Sequence, residues 1–94
     1  MKQQRVKNVF KALEADQAVA ENLKIRAQLM NILAEHIRKQ GLTQKQAAEL
    51  FEVTQPRVSD LTRGKIERFT IDMLIIMLAR TGRHVRVSVT SRAA

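Results

Sequence analysis

Ninety-four residues suffice for one small domain, and 45 % apolar residues give it an ordinary globular core, which excludes wholesale disorder. Seventeen Lys and Arg against nine Asp and Glu leave a net charge of +8, so a polyanion is the expected partner. No cysteine is present, which excludes disulfides and Cys-based metal sites, and the longest apolar run (73–79) is far too short to span a membrane.

The chain opens with MKQQRVK over 1–7, a polar segment with three positive charges. It reads as a frayed terminus or as a basic arm that touches phosphate or a minor groove. No apolar stretch comes after it, so no secretion signal is expected and the cytoplasm is the expected location. Residues 8–13 read as a short turn of helix, with Val9, Phe10 and Leu13 against the body. Asp16 is the expected N-cap of a first long helix over 16–40. Leu23, Ala27, Met30, Ala34 and Ile37 have 4-3-4-3 spacing and predict one buried stripe. Ile25, Leu29, Ile32 and Leu33 widen it, which suggests the rest of the domain on one side and a second copy or a partner on the other. Gly41 is the expected C-cap. His36 reads as a surface or edge histidine. With His84 the only other histidine, neither a metal site nor a cofactor is expected.

Residues 43–64, TQKQAAELFEVTQPRVSDLTRG, read as two short helices joined by a tight turn. Thr43 is an expected N-cap with Gln46 at capping-box spacing. Ala47, Ala48, Leu50 and Phe51 supply the apolar face. Thr54 is a second N-cap, and Pro56 falls in the first turn, where a missing N–H costs nothing. Val58 and Leu61 bury the second helix. Gln55, Pro56, Ser59, Asp60 and Arg63 are left around its opposite side, with Arg57 on the flank. Gly64 ends the helix where no Cβ is wanted.

This stretch resembles the helix-turn-helix of the phage-repressor (XRE) family, through Gln44, Ala48, Val53, Val58 and Leu61. It is most similar to a small subgroup with a TQ-x-x-AA-x-L-F-x-V-(S/T)Q-PRVSDL-x-RGK core, succeeded by a phenylalanine and a Ser/Thr-capped helix. The resemblance covers roughly residues 8–88. It implies a mainly α, lambda-repressor-like helical domain that binds double-stranded DNA. Members of the subgroup are often described as antitoxins or as small regulators beside toxins, so a toxin protein is a further implied partner. The resemblance also places Gln44 near a phosphate and in contact with Gln55. The chain departs from the pattern at Glu52, where the family has Gly, and at Glu14, where related chains often have Gly. A left-handed Glu52 is strained by about 1–2 kcal/mol, so the turn either carries that strain or takes another shape.

Beyond the motif, 65–68 reads as a basic loop, and Thr70 caps a last helix over 70–81. That helix is apolar nearly all round and therefore needs cover on more than one side. Gly82 ends it. Over 83–90, RHVRVSVT, the period changes to two. Val85, Val87 and Val89 alternate with polar residues, which predicts a C-terminal β-strand. A lone strand needs a partner, and the simplest is the same strand of a second chain, so these valines are the expected dimer element.

The second helix of a helix-turn-helix lies in the major groove, its N-terminal residues on base edges. Gln55 suits adenine, and Arg57 or Arg63 suits guanine. Pro56 offers an apolar surface to a thymine methyl, and Ser59 reaches a base or sugar. Asp60 either accepts from cytosine or holds Arg57 or Arg63 by an ion pair. Thr43, Gln44, Thr54, Lys65 and Arg68 are the expected phosphate contacts. The expected function is a sequence-specific transcriptional regulator, a repressor acting as a homodimer, with neutralisation of a toxin as the alternative. An enzyme is not expected: Ser59, Asp60 and His84 lack a prepared nucleophile, and no phosphate loop or paired carboxylates occur. Single-strand RNA recognition is disfavoured because the three Phe occupy core-like positions and no Tyr or Trp is present.

Overall fold

The computed structural model describes residues 16–91. The expected basic arm over 1–7, the turn over 8–13, Glu14 and the last three residues lie outside this range. Among the described residues four α-helices succeed one another: α1 (Gln17–Gln40), α2 (Gln44–Phe51), α3 (Gln55–Thr62) and α4 (Ile71–Ala79). A 3-10 turn, Ile66–Arg68, joins α3 to α4.

Each α-helix starts on a side-chain cap. Asp16 Oδ1 accepts from the Ala18 and Val19 amides at 2.9 and 3.3 Å. Thr43 and Gln46 form the full capping box, with Thr43 Oγ1 accepting from the Gln46 amide and Gln46 Oε1 from the Thr43 amide. Thr54 Oγ1 accepts from the Arg57 amide, and Thr70 Oγ1 from the Met73 amide. Such a cap stabilises its helix by about 1 kcal/mol. The expected starts of all four helices are therefore found, and Pro56 lies in the first turn of α3.

All four helices end in the same way. A left-handed residue lets the next amide reach back five residues, as in Leu42 to the Ile37 carbonyl, Val53 to Ala48, Lys65 to Asp60 and Arg83 to Leu78. The left-handed residues are Gly41, Gly64, Gly82 and Glu52. Glu52, at φ 58° and ψ 47°, thus occupies a position that glycine fills at the other three ends. The turn between α2 and α3 is left-handed at a residue with a Cβ, and it carries the strain.

The core is one cluster. Leu29, Met30 and Leu33 of α1 meet Ala47, Ala48 and Phe51 of α2, Val58 and Leu61 of α3, Phe69, and Leu74, Met77 and Leu78 of α4. Phe51 and Phe69 are its largest side chains. Ala47 and Ala48 are buried, and their small side chains let α2 approach its neighbours closely.

Two expectations need correction. The first is the C-terminal strand: no strand occurs among the described residues, and 83–90 is irregular. Valine alternation favours a strand only where a ladder partner exists, and the described residues offer none. Val85 packs on the core, whereas Val87 and Val89 are 74 % and 91 % exposed. The second concerns α1. Its most buried line runs through Leu29, Met30 and Leu33, while Ile25 and Ile32 are 40 % and 38 % exposed. The rest of the domain covers only part of the broad apolar face. On α4, which is apolar nearly all round, Ile76 is 54 % exposed.

Candidate nucleic-acid interface

The second helix of the motif, α3, is anchored by Val58 and Leu61, both fully within the core. Because these are three apart, the helix turns the opposite side outward, where Gln55, Pro56 and Arg63 are exposed. Ser59, Asp60 and Arg57 are half-buried at the edges of that face. The two N-caps, Thr43 and Thr54, are both exposed. Each cap uses a lone pair of its hydroxyl and leaves the O–H proton available for an outside acceptor. Gln44 and Gln55 open α2 and α3 with exposed side chains, and among the described residues no hydrogen bond joins them.

Asp60 does not pair with Arg57 or Arg63. Its carboxylate lies 4.0 Å from Lys65 Nζ and 3.8 Å from Arg68 Nη1. The reason is the chain reversal at Gly64, left-handed at φ 71°, which brings the next segment back along α3. Asp60 therefore gathers two of the expected phosphate contacts, Lys65 and Arg68, beside the outward face of the helix.

Arg57 is also engaged. Its Nη1 donates to the Arg68 carbonyl at 2.7 Å, and its guanidinium sits 5.6 Å from the centroid of the Phe69 ring. A second arginine, Arg26 of α1, donates to the carbonyls of Ile66 and Phe69 at 3.4 and 3.2 Å and to Asn22 Oδ1 at 2.7 Å. Between them the two guanidiniums donate to three carbonyls of the short segment that carries Arg68, and the Ile66 carbonyl also accepts from the Phe69 amide. Sequence reasoning missed Arg26. The signal was there: a charged residue in the same helical register as Met30, Leu33 and Ile37 must bury its stem and find acceptors for its head.

The turn has its own ion pair. Arg80 Nη1, just past α4, donates to Glu52 Oε2 at 2.7 Å. On α1, the Arg38 guanidinium beside Glu35 holds its carboxyl below the usual value, and both groups are exposed. Among the described residues no group of three or more His, Asp or Glu could hold a metal ion, and no helix is long and apolar enough to cross a membrane.

Two short capped helices, a tight turn, a second helix with a polar outward face and cations gathered at its C-terminal end define a helix-turn-helix protein. A model of the helix-turn-helix domain matches residues 9–90, and the chain belongs to that family. Comparison with curated proteins finds no match.

Proposed function

We propose that the protein is a sequence-specific double-stranded DNA-binding regulator that represses transcription and lays α3 in the major groove. The observation that carries this reading is the division of α3: Val58 and Leu61 lock it to the core while Gln55, Pro56 and Arg63 face outward. Gln55 reads adenine with two hydrogen bonds, Arg63 reads guanine, Pro56 meets a thymine methyl, and Ser59 reaches a base or sugar. The exposed hydroxyls of Thr43 and Thr54, the amide of Gln44, and the cations Lys65 and Arg68 take phosphate oxygens and set the register. Asp60 serves those cations rather than a cytosine.

One module of this size buries too little surface for tight specificity, so the active species is a homodimer on a roughly palindromic site, with half-sites about 34 Å apart. The exposed Val87 and Val89 are apolar residues that a second copy would cover, and Val85 stays with its own core. Selection from random duplexes tests the reading. A two-fold sequence should be enriched; equal retention of all sequences would exclude it.

A second reading has its own support. Ile25 and Ile32, seven residues apart on one face of α1, are large apolar residues left exposed. They suit a protein partner, and the partner of an antitoxin is its toxin. The two readings are compatible, since an antitoxin that binds DNA represses its own operon. Ile25→Glu with Ile32→Glu should abolish toxin neutralisation and spare DNA binding if α1 is that surface.

A further inference from the structure

Arg57 lies at the N-terminal end of α3, where an arginine would be expected to read a base. In this chain its guanidinium is committed elsewhere, to the Arg68 carbonyl and the Phe69 ring. Reaching a guanine edge would require it to give up both a charge-assisted hydrogen bond and a ring contact. Arg68 is held at two points by α3. Arg57 holds its carbonyl, and Asp60, one turn further on, lies 3.8 Å from its guanidinium.

We propose that Arg57 is a positioning residue, which sets where Arg68 meets a phosphate and does not read a base itself. The inference rests on the DNA-binding reading of α3. It leaves sequence discrimination to Gln55, Ser59 and Arg63, and it makes the distance between the reading face and the phosphate clamp a property of the fold. Arg26 reinforces the same segment from α1 through the carbonyls of Ile66 and Phe69. Arg57 thus links the groove-facing helix to the clamp, and Arg26 links the clamp to the body.

The test is a double-mutant cycle of Arg57→Ala and Arg68→Ala, read by site selection and by the salt dependence of DNA binding. Replacing Arg68 by Ala removes the phosphate contact but keeps the carbonyl that Arg57 holds. Arg57→Ala should select the same sequence as the wild type and bind every sequence more weakly. The slope of log K against log salt should fall by about one in Arg57→Ala, in Arg68→Ala and in the double variant alike, because a single phosphate contact is lost each time. Arg57→Lys, which keeps a donor within reach of the carbonyl, should restore most of the slope. A fall of about two in the double variant would assign Arg57 its own phosphate contact, and a changed base preference in Arg57→Ala would make it a reader. Either result overturns the inference while leaving the DNA-binding reading intact. A wild type that enriches no sequence fails both. Should Arg57→Ala not fold, Arg57→Met takes its place in the cycle, since it keeps a stem over Phe69 and lacks the donor.

Discussion

Replacing Glu52 by glycine separates backbone strain from the ion pair that accompanies it. Glu52 is the one non-glycine residue with positive φ among those described, and its carboxylate is held by Arg80. Removing the Cβ releases about 1–2 kcal/mol of left-handed strain. Greater freedom of glycine in the unfolded chain takes back about 0.4–1 kcal/mol. Both partners of the ion pair are substantially exposed, so losing it costs a further 0.2–1 kcal/mol or so. The expected balance for Glu52→Gly is a gain of a few tenths of a kcal/mol, about 2 °C in Tm for a domain of this size. In an Arg80→Ala background the ion pair is already absent, so the same substitution should gain about 0.5 kcal/mol more. That difference should shrink in 1 M salt, which screens exposed charges. Glu52→Asn should also stabilise, because asparagine visits the left-handed region readily and does not loosen the unfolded chain as glycine does. Denaturant melts of the four proteins of the cycle give the values. A clear loss of stability on Glu52→Gly in both backgrounds would refute the strained turn, and equal effects in the two would refute the coupling to Arg80.

Gln55→Ala and Arg63→Ala should each relax preference at one position of the selected DNA site by about 1–3 kcal/mol, measured by competition with single-base variants. Lys65→Ala should instead weaken binding to all sequences and lower the salt slope by about one. Thr43→Ala removes the hydroxyl half of the capping box and should cost about 1 kcal/mol in urea melts; no change would mean that the box is not closed in solution. Leu33→Ala opens a cavity at the centre of the core and should cost about 2–5 kcal/mol, whereas Val89→Ala, at a site 91 % exposed, should leave the stability of the monomer unchanged. Light scattering should find the paired variant Val87→Asp with Val89→Asp monomeric at concentrations where the wild type is a dimer; a wild type that is itself monomeric at high micromolar concentration removes the dimer.

Local chemistry made the helices legible in the sequence. Asp16, Thr43, Thr54 and Thr70 can cap only a helix that begins at the next residue, and glycine marks three of the four helix ends, so starts and stops could be read from single residues. The outward face of α3 was legible for the same reason, since Val58 and Leu61 fix the rotation of so short a helix. Contacts that depended on distant partners were not legible. Asp60 meets Lys65 and Arg68 because the chain reverses at Gly64, and Arg57 and Arg26 meet carbonyls that only the packed 3-10 turn brings near them. Alternation over 83–90 expresses a local preference, and a strand requires a ladder that these residues do not find among the described residues. The same holds at Glu52: its sequence position raised the question of strain, but only the packing of α4 against the motif, with Arg80 carried to the turn, decided that the strained shape is kept and how its side chain is held.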